Sequence, residues 1–232
     1  RNMIIKYSYR TGHPVDTLFN AKTARECTFK DFEGYQISST GHRILVWRDS
    51  ESIYRRSSKA VVYDYDVRRN FVKPLTESTS KQMIPTFSPD GRMCAYVRDN
   101  NIWIKKFDFD TETQVTKDGE INKVLNGITD WVYEEEFSVT NLMAWSPDNE
   151  YLAFVKTNET EVPTYSMQKF DNLYPDFYTY KYPKAGQKNS KITLHSYSVA
   201  SKDIKELKLP VNEETYIPRI VFTTNADQLA VM

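Results

Sequence analysis

The sequence predicts an all-β protein, a β-propeller fragment of about four four-stranded antiparallel blades. Short runs rich in Tyr, Val, Ile, Phe and Thr recur along the 232 residues. Asp, Asn, Gly and Pro separate these runs at spacings of about 8–12 residues, which is typical of antiparallel β-structure. Helical periodicity is scarce. A strand–turn–strand unit also recurs at blade-sized intervals, which a stacked-sheet sandwich would not explain.

The predicted strands are segments of β-branched and aromatic residues bounded by turn residues. In chain order they are Met3–Tyr9, Val15–Phe19, Arg43–Arg48, Ala60–Val67, Phe71–Leu75, Met93–Arg98, Ile102–Phe107, Leu152–Lys156, Lys191–Ser198 and Asp203–Leu209. The close spacing of turn signals between them favours antiparallel pairing of sequence neighbours.

A degenerate repeat is built around a Ser-Pro-Asp turn. Residues 84–97 match residues 142–155, with Ser-Pro-Asp-Gly in the first copy and Ser-Pro-Asp-Asn in the second. Weaker copies occupy residues 219–231 and 35–46. Pro fixes φ at the second turn position, and Gly or Asn accepts the left-handed conformation that follows. Each copy is therefore predicted to form a strand, a tight turn and a second strand.

The spacing of the copies sets the size of the repeating unit. Their aromatic residues Phe87, Trp145 and Phe222 lie 58 and 77 positions apart, which fits blades that carry insertions. The last copy reaches the end of the chain, whereas a propeller avoids open sheet edges by closing its ring. We therefore expect this sequence to be a segment of a longer protein.

Composition and motifs argue against several function classes. The 31 Lys and Arg residues balance 31 Asp and Glu residues, so the charge gives no reason to expect nucleic acid or an anionic membrane as a partner. No apolar run approaches the roughly 20 residues of a membrane span. The seven glycines are too far apart for a Gly-x-Ser-x-Gly nucleophile motif, a dinucleotide-binding motif or a P-loop within this chain.

Histidines and cysteines give no sign of a metal or cofactor. His13, His42 and His195 are scattered, and neither His-Glu-x-x-His nor Cys-x-x-Cys occurs. Cys27 and Cys94 are interpreted as two unpaired small hydrophobic residues, with a disulfide bond between them as the alternative. No cofactor is predicted.

One acidic run has an unusual setting. Glu134, Glu135 and Glu136 follow the aromatic and β-branched residues of 127–133. Adjacent like charges repel unless water or a cation relieves them, so a solvated acidic corner is the plain interpretation. The apolar flank favours a packed segment that holds the acids in place. A rigid pair of carboxylates suits one ammonium ion, because each can accept a charge-assisted hydrogen bond.

Residues 126–137, which read Asn-Gly-Ile-Thr-Asp-Trp-Val-Tyr-Glu-Glu-Glu-Phe, closely resemble the double-glutamate motif of the dipeptidyl peptidase IV family. Further segments that fit the family pattern in the same order are residues 146–148, 152–154, 158–163 and 182–186. The matches extend over about residues 40–232. The chain therefore resembles the N-terminal propeller portion of a bacterial member of that family.

This resemblance implies both a fold and an activity. Family members are serine exopeptidases that release dipeptides from N-termini with Pro or Ala at the second position. They combine an eight-bladed propeller with a C-terminal α/β-hydrolase domain that holds the Ser-Asp-His triad. Residues 1–232 would then be a partial N-terminal propeller domain, with the hydrolase domain and every catalytic residue outside this chain.

The resemblance also implies site residues. The last two glutamates of the motif, Glu135 and Glu136 in this sequence, bind the free α-ammonium of the substrate, and Glu134 is a structural or solvated neighbour. An arginine one blade earlier contacts a carbonyl oxygen of the substrate. The segment Tyr-Arg-Arg-Ser at 54–57 fits that position and nominates Arg55, with Arg56 as the alternative.

Partners and location follow from the same resemblance. The expected partners are peptides with a free N-terminus, the C-terminal hydrolase domain of the same protein, and a second subunit in a homodimer. The expected location is the periplasm or the surface of a bacterial cell. Two other functions stay open at this stage, a peptidase that releases tripeptides and a propeller that serves only as a protein-interaction platform.

Overall fold

The computed structural model describes residues 1–210, 212 and 215–232. In these residues the structure is almost entirely antiparallel β-sheet with one short helix, so the prediction of an all-β propeller fragment is confirmed. Two sheets are four-stranded meanders of sequence neighbours, a third sheet has five strands, and a two-stranded sheet stands at each end of the chain. Against the expected count of about four blades, the described residues form three full blades and a pair of strands at each end of the chain.

The first two sheets are a hairpin and a complete blade. The hairpin pairs β1 (Met3–Tyr7) with β2 (Pro14–Asn20). Blade A consists of β3 (Gly34–Ile37), β4 (Arg43–Ser52), β5 (Ser58–Asp66) and β6 (Phe71–Pro74). Each strand of blade A pairs antiparallel with the next.

Blade B repeats this arrangement. It consists of β7 (Met83–Phe87), β8 (Met93–Arg98), β9 (Asn101–Lys106) and β10 (Thr111–Gln114). Its strands also pair in sequence order.

Blade C carries two insertions that matter for the site. In chain order this part contains β11 (Val124–Asn126), α1 (Trp131–Phe137), β12 (Met143–Trp145), β13 (Tyr151–Asn158), β14 (Thr164–Lys169), β15 (Asp176–Lys181), β16 (Lys191–Ser198) and β17 (Ile204–Leu207). The blade is the meander β12–β13–β16–β17. Strand β11 pairs with the far end of β13, on the edge that β12 also uses, and α1 lies between them in the chain. The hairpin β14–β15 is inserted between β13 and β16.

The chain ends with β18 (Ile220–Phe222) paired to β19 (Leu229–Val231). The hydrophobic core lies between successive sheets. Val62 of blade A packs with Tyr96 of blade B, and Ile104 of blade B packs with Phe154 of blade C. Such packing of neighbouring four-stranded sheets is the arrangement of propeller blades.

The Ser-Pro-Asp turns connect neighbouring blades. Gly91 in the blade B turn has φ +70°, and Asn149 in the blade C turn has φ +67°. A Cβ at Gly91 would lie 2.9 Å from the Cβ of Ser38, in the β3–β4 turn of blade A. On the other side, the backbone N–H of Asp90 donates to Oδ1 of Asn149 at 2.9 Å. The turns of neighbouring blades thus contact one another at positions whose left-handed conformation Gly and Asn permit.

All predicted strands are present, and the repeat copies are the hairpins β3–β4, β7–β8, β12–β13 and β18–β19. Cys27 and Cys94 are free, which confirms that they are unpaired. Helix α1 and the hairpin β14–β15 were not predicted. The helix has only seven residues, too few to show a period of 3.6, and β14 is exposed along its whole length. Within the described ranges, no helix is long and apolar enough to cross a membrane.

Candidate functional site

The acidic run of the sequence lies on helix α1. Asp130 caps this helix, since its Oδ1 accepts the backbone N–H of Tyr133 at 3.0 Å. Its Oδ2 accepts a hydrogen bond from Ser190 Oγ at 2.6 Å, and both residues are buried. Burial raises the pKa of the Asp130 carboxyl, whereas these two hydrogen bonds oppose the shift. The start of the helix is thereby tied to the chain just before β16.

Tyr133 anchors the inner side of the helix. Its side chain is buried, and its hydroxyl accepts the backbone N–H of Ile217 at 2.8 Å. Burial raises the pKa of Tyr133 to about 12, against the opposing effect of the hydrogen bond from Ile217. The ring also contacts Phe137 at the end of the helix, with 5.5 Å between centroids. The helix is therefore held at its start and along its inner face.

The three glutamates have different surroundings because successive helix residues point about 100° apart. Glu134 is fully buried, the Glu135 side chain is 18% exposed, and Glu136 is exposed. The three carboxylates therefore range from fully buried to exposed.

Glu134 is bound to the loop between β4 and β5 in blade A. Its Oε1 accepts the backbone N–H groups of Arg56 and of Ser57, the latter at 2.8 Å. Its other oxygen, Oε2, is buried and has no hydrogen-bond partner within the described ranges. Glu134 is therefore a buried and hydrogen-bonded neighbour of Glu135, and it is not solvated.

Arg55, in the same loop, contacts the second glutamate. Its Nε lies 2.9 Å from Oε1 and 3.0 Å from Oε2 of Glu135. The guanidinium side of this pair is open to solvent, since the Arg55 side chain is 69% exposed. Glu136 follows on the exposed side of the helix and makes no hydrogen bond or ion pair within the described part of the chain. The structure thus brings Arg55 and Glu135 into direct contact.

The two adjacent arginines point to different places. Whereas Arg55 meets Glu135, Arg56 lines a separate cavity of about 330 Å³ with Tyr35 of β3 and Ile84 of β7. Of the two candidates that the sequence left open, Arg55 is the one whose side chain contacts a glutamate of helix α1.

Tyrosines of the inserted hairpin surround the arginine loop. Tyr178 Oη donates to the carbonyl oxygen of Ile53 at 2.6 Å. The rings of Tyr54 and Tyr180 lie 5.7 Å apart, and Tyr182 lies 4.4 Å from Trp131 of the helix. Sequence reasoning missed these contacts, although the Tyr-Thr-Tyr-Lys-Tyr alternation at 178–182 is the pattern of a strand with one aromatic face.

A buried carboxylate lies behind the arginine loop. Glu159 is 3% exposed and lines a cavity of about 540 Å³ with Tyr54 and Tyr180. Its Oε2 has no hydrogen-bond partner within the described ranges. Burial and the nearby Asp130 carboxylate raise the pKa of Glu159 to about 7, and Lys181 opposes this shift. Burial, followed by the Glu159 charge, also raises the pKa of Tyr54.

The described ranges contain no group of three or more His, Cys, Asp or Glu side chains placed to hold a metal ion. The charged groups of the site that are at least partly exposed include the carboxylates of Glu135 and Glu136 and the guanidinium of Arg55.

Comparison with known proteins places the chain in a family. Residues 38–232 match the family model described as the dipeptidyl peptidase IV (DPP IV) N-terminal region. The chain belongs to the dipeptidyl peptidase IV family. The family resemblance inferred from the glutamate motif is thereby confirmed.

Curated relatives of the chain include fungal proteins. The chain is 38% identical over 177 residues to a dipeptidyl-aminopeptidase B of Chaetomium globosum, which covers 70% of this chain and 19% of that protein. It is 39% identical over 187 residues to the corresponding protein of Tuber melanosporum, covering 72% of this chain and 20% of that protein. The chain therefore spans about a fifth of the length of these relatives.

Solved structures extend the comparison over the whole chain. The crystal structure of Porphyromonas gingivalis dipeptidyl peptidase 4 matches with a TM-score of 0.97 and 64% identity, covering 100% of this chain and 33% of that one. A Bacteroides ovatus protein of 16% identity matches with a TM-score of 0.64 over 99% of this chain and 31% of its own. The second match shows a shared fold alone.

Proposed function

We propose that this chain is the substrate-recognition part of a proline-specific dipeptidyl peptidase. In this proposal, Glu135 and Glu136 bind the free N-terminal ammonium of a peptide, and Arg55 binds a carbonyl oxygen of the same peptide. The observation that carries the proposal is the contact of 2.9 Å between Arg55 and Glu135, which come from different blades. Membership of the dipeptidyl peptidase IV family supports it.

The chemistry of the two glutamates fits an ammonium. An α-ammonium has a reference pKa of about 7.7–8, so most of it is charged at neutral pH. Glu136 offers a free carboxylate, and both oxygens of Glu135 share the single Nε–H of Arg55, so they keep lone pairs for a second donor. Each charge-assisted hydrogen bond contributes about 1.5–3 kcal/mol where it is partly desolvated.

Arg55 has donors left for a substrate. Its contact with Glu135 uses Nε, and its Nη groups make no hydrogen bond within the described ranges. A guanidinium presents five donors in a fixed plane, so Nη can donate to a carbonyl oxygen while Nε keeps its carboxylate. One side chain would then connect the ammonium site to the peptide backbone.

A site that fixes both the ammonium and a carbonyl oxygen holds the peptide at a set distance from its N-terminus. Only the peptide bond at one distance from the ammonium can reach a catalytic group held elsewhere. We propose that this group is the serine of a C-terminal hydrolase domain of the same protein, which releases X-Pro and X-Ala dipeptides. Assembly as a homodimer, in the periplasm or at the surface of a bacterial cell, belongs to the same proposal.

Charge-neutralising variants of the complete protein that contains this chain test the proposal. We expect Glu135→Gln and Glu136→Gln each to lower kcat/KM for Ala-Pro and Gly-Pro chromogenic substrates by more than about tenfold, because lost positioning costs rate as well as affinity. Glu150→Gln, an exposed glutamate in the β12–β13 turn, is the matched control. Activity at the wild-type level in both site variants would refute the assignment.

Assays of the complete protein with two classes of substrate distinguish the alternative functions. Faster release of X-Y-Pro than of X-Pro chromophores would indicate a tripeptide-releasing peptidase. No hydrolysis of either substrate by the complete protein would indicate a non-catalytic interaction platform.

A further inference from the structure

We infer that Glu134 is a positioning residue, which holds the Arg55 loop at a fixed distance from Glu135 and Glu136. The inference rests on the proposed function and deepens it. Glu134 does not touch the substrate in this arrangement. It acts through Arg55, by fixing where the carbonyl-binding guanidinium stands relative to the ammonium-binding carboxylates.

Glu134 holds the Arg55 loop through hydrogen bonds from the loop backbone. One oxygen of Glu134 accepts two consecutive backbone N–H groups, those of Arg56 and Ser57, which directly follow Arg55. These bonds link positions 77 and 78 residues apart in the chain, so they join blade A to the helix inserted in blade C. Because the bonds go to the backbone, they fix the path of the loop whatever side chains it carries.

The loop itself is closed and has little freedom of its own. The backbone N–H of Ile53 donates to the carbonyl oxygen of Ser57 at 2.9 Å. The N–H of Tyr54 donates to Ser57 Oγ at 3.3 Å, and Tyr178 Oη donates to the carbonyl oxygen of Ile53 at 2.6 Å. Arg55 therefore stands on a small closed turn, and fixing Ser57 fixes the base of the arginine side chain.

The two contacts that the loop makes with helix α1 differ in strength. The Arg55–Glu135 ion pair is exposed on the arginine side, and ion pairs of this kind contribute little to stability. Hydrogen bonds to a charged group in a buried place each contribute more. Glu134 is fully buried and accepts two of them. The position of the loop is therefore set by Glu134, which leaves Arg55 free to exchange partners.

The burial of Glu134 is energetically unfavourable. A buried carboxylate loses its hydration, and the Oε2 of Glu134 has no hydrogen-bond partner within the described ranges. An apolar residue would pack at lower cost but could not accept the two loop amides. Local violations of this kind concentrate at functional sites.

A double-mutant cycle in the complete protein tests the inference. Glu134→Asp keeps the charge and shortens the reach by one methylene. We expect it to lower kcat/KM for X-Pro substrates by about tenfold or more and to raise the relative release of X-Y-Pro products. The reason is that the carbonyl-binding guanidinium moves relative to the ammonium-binding carboxylates. In an Arg55→Ala background the same change should cost less than about threefold, since the residue acts through Arg55.

A variant of the same length separates geometry from charge. Glu134→Gln keeps an acceptor oxygen at the same reach, so its loss should be at least about fivefold smaller than that of Glu134→Asp. Equal losses with and without Arg55, or a larger loss for Gln than for Asp, would overturn the inference. A purely structural role would lower the unfolding midpoint without changing the ratio of X-Pro to X-Y-Pro release.

The outcomes distinguish a failure of the proposed function from a failure of the role inferred for Glu134. Wild-type activity in Arg55→Ala and Glu135→Gln would refute the proposed function itself, whereas losses there with an additive cycle would refute only the role of Glu134. If Glu134→Asp does not fold, amide hydrogen exchange of the wild-type protein decides. We expect protection of the Arg56 and Ser57 amides, and exchange as fast as in the exposed segment 171–174 would overturn the inference.

Discussion

Arg55 and Glu135, 80 positions apart in the sequence, meet with 2.9 Å between Nε and Oε1. The contact joins a loop of blade A to a helix inserted in blade C. Because its arginine side faces solvent, the pair can exchange protein contacts for ligand contacts at little cost. The proposed recognition site depends on this paired guanidinium and on the exposed carboxylate of Glu136, the next residue of the helix.

The neighbouring arginines provide the first prediction. We expect Arg55→Ala to lower kcat/KM for Ala-Pro substrates by more than about tenfold, because the carbonyl oxygen loses its donor. Arg56→Ala should cost less than about threefold, since its side chain faces another cavity and its backbone N–H is retained. Steady-state kinetics of the complete protein measure both, and a reversed order would assign the contact to Arg56.

The cap of helix α1 provides the second prediction. Ser190→Ala removes the donor to the buried Asp130 carboxylate, so we expect a loss of about 1–3 kcal/mol in the free energy of unfolding. Urea unfolding followed by fluorescence measures this loss. Ser201→Ala, at an exposed serine in the β16–β17 turn, is the control. A loss no larger than in the control would show that the cap does not need Ser190.

Glu159 gives a prediction for pH. Its pKa in the folded protein, about 7, lies above the ordinary 4.5, so the folded state binds its proton more tightly than the unfolded chain does. Its stabilising contribution is complete below pH 4.5 and is lost as the pH rises through about 7. Asp130 strengthens this shift and Lys181 opposes it.

The test of this prediction is Glu159→Gln, which stays neutral. Relative to the wild type, we expect the variant to gain up to about 3 kcal/mol between pH 5 and pH 8. Unfolding midpoints of the complete protein measured across this range give the comparison. Parallel pH profiles of the two proteins would contradict the shifted pKa, and Glu150→Gln should leave the profile unchanged.

The repeated turns provide the fourth prediction. Gly91 and Gly41 both have φ +70°, but only a Cβ at Gly91 would approach Ser38 closely, at 2.9 Å. The left-handed conformation costs an alanine about 1–2 kcal/mol at either position. We therefore expect Gly91→Ala to destabilise the protein more than Gly41→Ala, by about 1 kcal/mol or more in urea unfolding. Equal losses would show that the contact between blade turns is easily relieved.

Much of the fold could be read from the sequence because it depends on near neighbours. The apolar run of Met93–Arg98 and the alternation in Lys191–Ser198 predict strands whose bounds the structure reproduces. Helix α1 escaped prediction because two turns of helix give too few residues for a period to appear. The hairpin β14–β15 escaped because its strands bury little, so it lacks a clear buried face.

The sequence by itself determined the strands, the repeated turns, the family and the candidate residues Arg55, Glu135 and Glu136. These features depend on residue types at short spacing along the chain, so they can be recognised without knowing how distant segments pack. Only the tertiary structure decided which arginine meets a glutamate, and that Glu134 is buried against the arginine loop. Both contacts connect residues nearly 80 positions apart, and the packing of one blade against the next fixes them.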